Sequence, residues 1–294
     1  SVNGGCGIIS SLETIISGNT VSGNAGGGIV MQGSGSHQAL RNAVTGNGAG
    51  GIVCEDSGEI GGNVVSGNTA ASSAGVRVTG DGPFDINHNL ICYNAATVSG
   101  GGMSIGYADA QLLNNTIAGN TAPVGGGVQL TVANGGLPRI RNCIIAFNRG
   151  GGGVAGPADS TPALSYNDVY GNEGGDYVGL ANPTSTSGNL SVDPLFADLN
   201  GSDFRLKSQG GRFNGSAWVI DAVSSPCLDA GDPACAFDLE PAPNGGRINM
   251  GYDGNTSRAS LSGVLIVPCV VNCAPRGSGC SVAANLTIRF NTPM

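Results

Sequence analysis

Acidic and basic side chains are few in this chain, and their spacing decides how much chemistry it can perform. Lys and Arg total 12 and Asp and Glu total 20 among 294 residues. Hydrolysing a glycosidic bond needs two carboxyl groups several ångströms apart, one as acid and one as base or nucleophile. Cleaving a uronate by elimination needs carboxylates around a cation, beside a basic Arg or Lys. The acids of residues 1–189 are Glu13, Glu55, Asp56, Glu59, Asp81, Asp85, Asp109, Asp159, Asp168, Glu173 and Asp176. They fall mostly in turn-like sequence and follow no common phase. Arg139 and Arg141 stand two apart, so on a strand they share a face, and they form a candidate contact for an acidic glycan. Asp198, Asn200, Asp203, Asp229 and Asp232 supply oxygen donors and form a candidate calcium set, with turn capping as their competing role. His37 is expected in a Gly/Ser turn and His88 lies between two asparagines, neither near a nucleophile. No catalytic group is expected, and no cofactor beyond a calcium ion.

The elements that would position these groups follow from a repeat. Asn19-Thr-Val-Ser-Gly-Asn24 returns as Asn42–Asn47, Asn63–Asn68, Asn89–Asn94, Asn115–Asn120, Cys143–Asn148 and Asn167–Asn172. Its closing asparagines are 23, 21, 26, 26, 28 and 24 residues apart. A period of that size means stacked units. Each unit also carries a glycine cluster running into apolar residues, as in Gly26-Gly-Gly-Ile-Val30 and Gly125-Gly-Gly-Val-Gln-Leu130. Three short strands per unit, separated by glycine and asparagine turns, are therefore expected. With 53 glycines and little Glu or Lys, helical repeats are excluded.

The expected fold is all-β: a right-handed parallel β-helix, a solenoid of about 7–10 coils with a C-terminal cap and a β-strand tail. Val21, Val44, Val65, Ile91, Ile117, Ile145 and Val169 are assigned to one interior column. Asn24, Asn47, Asn68, Asn94, Asn120, Asn148 and Asn172 are assigned to a structural ladder at a sharp corner. There asparagine is expected to adopt the left-handed region and to bond the coils on either side.

The Asn-x-(Val/Ile)-x-Gly-Asn…Gly-Gly-Gly-(Ile/Val) pattern resembles the right-handed parallel β-helix repeats of secreted bacterial and archaeal surface proteins, from residue 4 to about 190. It is similar, more distantly, to pectate-lyase-like enzymes. The resemblance implies the fold, while the activities on that fold range from lyases and hydrolases to adhesins and structural proteins. Ser225-Pro-Cys-Leu-Asp-Ala-Gly-Asp232 resembles the end segment of such proteins. Asn285-Leu-Thr-Ile-Arg-Phe-Asn-Thr-Pro-Met294 resembles the opening of a bacterial Ig-like domain. Three regions result: coils over 1–189, last coils and cap over 190–258, and a strand tail over 259–294, either a truncated Ig-like domain or a donor strand.

A net charge of −8 argues against nucleic acid and anionic membranes as partners, and no apolar run is long enough to span a bilayer. Nine cysteines without metal-ligand spacing point to an oxidising compartment. Cys227 and Cys235, on either side of one turn, form a candidate disulfide. The location expected is extracellular or at the cell surface.

The functional expectation is a non-enzymatic surface β-helix that assembles head-to-tail into filaments, by coil stacking or by donation of the tail strand, or that serves as an adhesin. Its partners would be copies of itself, other surface proteins or a polysaccharide. The alternative is a carbohydrate-active β-helix, a polysaccharide lyase or hydrolase, or a glycan-binding module. Low aromatic content, 5%, weighs against that alternative because sugar-stacking platforms are scarce.

Overall fold

The structure, a computed structural model, describes residues 4–80, 82–106, 109–131 and 138–263, with the strands Val270–Ala274 and Thr287–Phe290. Asp81, residues 264–269 of the expected strand tail, Cys280, Asn285 and the closing Pro-Met pair lie outside the described residues. The two far strands pair antiparallel with each other.

Each repeat forms one coil of a parallel β-helix, and strands at equal phase stack into sheets. Sheet A has eight strands, from Ile8–Ser10 to Tyr177–Val178. Sheet B has seven, from Ile15–Ser17 to Ala163–Ser165. Sheet C has seven, from Thr20–Ser22 to Asp168–Tyr170, and a smaller sheet D spans four coils. Every pairing within these sheets is parallel and joins one coil to the next, as in Val21↔Val44 and Ile91↔Ile117. The assigned valine and isoleucine column is buried throughout, and it shares one continuous core with Ile29, Ile52, Ile86 and Ile140. Like residues stacked at strand spacing leave no gap, and each such side chain adds about 1.5–3 kcal/mol on burial.

The asparagines depart from expectation in backbone. The left-handed residue at each corner is the one before the asparagine: Gly23, Gly46, Gly67, Tyr93, Gly119, Phe147 and Gly171. The sharp bend at that position frees each asparagine side chain to point inward. Asn24 to Asn172 then form an unbroken run in which each amide Nδ2 and backbone N–H donates to Oδ1 of the next asparagine, at 2.8–3.1 Å.

The opening asparagines of the motif form a second run that sequence reading did not assign. Asn19, Asn42, Asn63, Asn89 and Asn115 are linked in the same way, and so are Asn167 and Asn189. Cys143 interrupts this run: its Sγ accepts from the Asn115 N–H at 3.4 Å, and its own N–H donates to Asn167 Oδ1.

Residues 190–258 do not continue the stack as final coils. Leu190 still bridges to Asp168, but from Phe196 onward the chain lies against the outer face of sheet C. Phe196, Phe204, Leu206, Cys227 and Met250 pack there on Leu90, Cys92, Ala118, Ile144 and Ala146. The physical reason is visible in the strands: Thr20, Ser22 and Thr45 make the early part of this face polar, whereas Leu90–Cys92 and Ile144–Ala146 are apolar on both faces. Tyr93 and Phe147, which replace the corner glycine, reach out to Phe204 and Phe196 with ring centroids 5.4 and 6.2 Å apart.

Candidate functional site

The outer face of sheet B carries the chemistry-bearing residues in rows. Gln38, Glu59, Asp85, Gln111 and Arg139 are register partners in successive strands, and Asn87, Leu113, Arg141 and Ser165 form a parallel row. Glu59 and Asp85 therefore do share a phase, one strand spacing of about 4.8 Å apart. Variable loop lengths hide that phase in the sequence. Asn87 Nδ2 donates to Glu59 Oε1 at 3.3 Å.

A groove of about 400 Å³ runs over this face, lined by Asp85, Asn87, Gln111, Leu113, Arg139, Arg141 and Ser165. Arg139 is exposed, while Arg141 Nη1 lies 3.0 Å from Asp232 Oδ2, which ties the folded-back segment to the coils. The two arginines thus have different jobs. The face grades from carboxylates through amides to a guanidinium, a pattern that hydrogen-bonds and orients a polar chain laid along the rod. Among the described residues no aromatic ring lines it.

The five candidate calcium ligands fall in two places: Asp198 and Asp203 are register partners across one hairpin with Asn200 in its turn, and Asp229 and Asp232 belong to a later turn. Asp203 is held by Arg205 at 2.7 Å and Arg212 at 3.3 Å, and Asp232 by Arg141. Asp229 Oδ1 accepts from Ser262, and Asp198 Oδ1 accepts from the Gly201 N–H beside exposed Asn200. Among the described residues no three His, Cys, Asp or Glu side chains gather as a metal cluster.

Cys227 and Cys235 are not bridged, and no disulfide occurs among the described residues. Cys227 is fully buried, and its Sγ donates to Asp168 Oδ2 at 3.3 Å. The turn that places it serves the seam between segment and coils, which leaves half-buried Cys235 apart.

That seam also gathers buried carboxyl groups. Asp168 is pushed up to about 6 by burial, against the hydrogen bonds from the Val192 N–H and Cys227. Burial raises Glu240 to about 7 although the N–H groups of Asn249 and Asn255 donate to it. Asp253 is raised to about 6, again by burial. His88 donates from Nε2 to Gly254 O at 3.0 Å, and burial lowers its pKa.

His37, expected in a turn, lies in the strand Ser36–Leu40 with its side chain wholly buried. Its Nε2 bonds Gly33 O at 3.1 Å, and a carbonyl can only accept, so the ring proton is on Nε2. Nδ1 therefore carries a lone pair, and it has no partner. The register partner above His37 is Gly58, where an added Cβ would collide with the His37 carbonyl oxygen, so that only glycine fits. Cys54 Sγ occupies that corner, 3.2 Å from where a Gly58 Cβ would stand. Met31 pairs in register with Cys54, and both are fully buried. Burial, reinforced by Glu55 and Asp56, pushes the Cys54 thiol up to about 12.

Stacked parallel coils with two asparagine runs define a β-helix repeat protein. The chain belongs to the disaggregatase-related family, which matches residues 84–231. Residues 2–129 are also similar to the family described as periplasmic copper-binding protein (NosD). Both families fit a β-helix that works at the surface or outside the cytoplasm. No helix among the described residues is long and apolar enough to cross a membrane. No curated protein and no solved structure matches the chain.

Proposed function

We propose that the chain is an extracellular, non-enzymatic surface module: a stiff β-helix that holds a polysaccharide along the outer face of sheet B. The observation that carries this reading is the groove in which Asp85, Asn87, Gln111, Arg139 and Ser165 stand in register. A polymer with regularly spaced hydroxyl and carboxylate groups matches such rows, and the exposed Arg139 favours an anionic one. The test is affinity electrophoresis in gels containing uronate-rich or neutral polysaccharide. Retardation by the acidic polymer that is lost in Arg139→Ala is expected, with no release of unsaturated uronate. Absence of retardation by either polymer would remove the reading, and uronate release would replace it with a lyase. A head-to-tail filament is the other form of the same scaffold role. Negative-stain electron microscopy separates them, because filaments with an axial repeat near the rod length would make assembly the primary role.

A second reading is copper handling, as the description of the NosD family states for its members. One observation favours it here: a free imidazole lone pair in a dry interior, at a corner that also holds a thiol and a thioether. Soft sulfur and imidazole donors suit copper(I), so the residues present fit that ion. Copper(I) taken up by the purified chain from a chromophoric chelator tests this, and no uptake would end it.

A further inference from the structure

We propose that the hairpin formed by Arg212–Phe213 and Trp218–Val219 is a second carbohydrate site, where the indole of Trp218 stacks on one face of a neutral pyranose ring. The site lies outside the sheet B groove and does not depend on it. Trp218 is the only tryptophan in the chain, and a buried aromatic ring ordinarily takes about 150–250 Å² out of water. Among the described residues only two aromatic side chains are exposed, Tyr93 and Trp218. Tyr93 is engaged at the seam, with Phe204 and the Leu199 carbonyl. Trp218, 44% exposed, has no such task.

The hairpin has two unlike faces, as strand alternation requires. Arg212 and Val219 are register partners on the inner face, and Asp221 follows two residues on. Arg212 grips both oxygens of Asp221, from Nε at 3.0 Å and from Nη2 at 3.1 Å. Its Nη1 reaches Asp203 at 3.3 Å, which also holds Arg205 at 2.7 Å. Arg205 Nη1 donates to Phe213 O at 3.0 Å, closing the network onto the hairpin itself. On the outer face Phe213 and Trp218 are register partners, with ring centroids 5.7 Å apart and planes at 54°. The indole Cε3 stands 3.7 Å from where a Gly211 Cβ would be, so one edge of the ring rests near the backbone. A mobile tryptophan loses entropy when a ligand orders it, whereas one fixed by two arginines and two aspartates is already in place.

Charge and size select the occupant. The four ions of the network balance, two positive and two negative, and all are engaged with one another. The outer face therefore offers ring, alkyl and amide surface, and no cation free to hold a carboxylate. Trp218 and the exposed Ile220 beside it cover far less than the ~800 Å² that each side of a stable protein complex needs. The loop between the strands adds polar groups. Asn214 Oδ1 accepts from the N–H groups of Ser216 and Ala217 and from the Ser216 hydroxyl. That leaves the exposed Asn214 Nδ2 and the Ser216 Oγ lone pairs for a ligand. A pyranose presents the matching surfaces, C–H bonds on one face and hydroxyls at the rim.

Because Trp218 is the sole tryptophan, its fluorescence reports this site alone. Titrating the full chain with cellohexaose or chitohexaose is expected to shift the emission saturably. Calorimetry of the same titration should show affinity at least about 10-fold weaker in Trp218→Ala, partly kept in Trp218→Phe, and unchanged in Arg139→Ala. Circular dichroism melts report that each variant is folded. No saturable response to either oligosaccharide, or wild-type affinity in Trp218→Ala, would refute the platform and leave the sheet B reading intact. A loss in Arg139→Ala without one in Trp218→Ala would overturn it and assign neutral sugars to sheet B. An emission change on diluting the protein alone, with a dimer in sedimentation, would overturn it in favour of contact between copies.

Discussion

The closing asparagine run makes a quantitative prediction at one of its interior members, Asn120. Its Oδ1 accepts the backbone N–H and Nδ2 of Asn94 at 2.9 and 3.0 Å. Its Nδ2 donates to Ile91 O and Asn148 Oδ1, both at 3.0 Å. The side chain is wholly buried, so water cannot replace any of these bonds in Asn120→Ala. At about 1 kcal/mol net per bond, and with the Asn94 N–H left as a buried orphan, the loss should be roughly 3–5 kcal/mol. In a stacked protein the effect passes through the two adjoining coil interfaces, so the whole transition should shift. Urea unfolding followed by circular dichroism measures it: the midpoint should fall while the slope is unchanged. A loss below about 1 kcal/mol would refute the reasoning, since it would mean that buried amide ladders only replace water bonds one for one.

Other outcomes follow from the same structure. Cys143→Asn should restore the interrupted second run, giving Asn115 and Asn167 an amide partner. A gain of about 1 kcal/mol, or 2–4 °C in melting temperature, is expected by calorimetry. Gly119→Ala should cost more than about 1 kcal/mol, because Gly119 has φ of +66° and an added Cβ would stand 2.6 Å from the Tyr93 ring. Asp168 and Glu240 have folded pKa values raised to about 6 and about 7, above their unfolded values, so the folded chain binds these protons more tightly. Stability should therefore fall as pH rises from 5 to 8, by roughly 1–3 kcal/mol per group, and Asp168→Asn should flatten the profile of melting temperature against pH. Asp221, held low by Arg212 against the opposing effect of burial, acts in the opposite sense and only at more acid pH.

The architecture was legible because one residue type, asparagine, recurs with an apolar residue three positions before it, and stacking forces both into columns. What stayed hidden depends on exact register. Coils of 21 to 28 residues conceal that Glu59, Asp85, Gln111 and Arg139 form one row. The opening asparagines were as regular as the closing ones, but Cys143 broke the pattern. The folding back of residues 196–259 onto sheet C did leave a signal. Tyr93 and Phe147 replace corner glycines in coils whose outer positions turn apolar, at Leu90 and Cys92 and at Ile144 and Ala146. His37 gave none, because a Gly/Ser neighbourhood reads as a turn whether or not the next strand directs its ring inward.

The two amide runs have a direction. In each linked pair Oδ1 points toward the earlier coil and accepts from it, while Nδ2 donates one hydrogen to the later coil and, in most members, the other back to a carbonyl of the preceding one. The Cγ=Oδ1 dipoles therefore add along the axis as peptide dipoles add in an α-helix. The positive end of the closing run meets the carboxylate of Asp176, whose Oδ1 accepts from Asn172 Nδ2 at 3.0 Å, as an acid does at a helix N-terminus. The rod is consequently an electrical vector as well as a mechanical one. A coil stacked upside down would set donor against donor, so the solenoid can be lengthened or repaired in only one orientation.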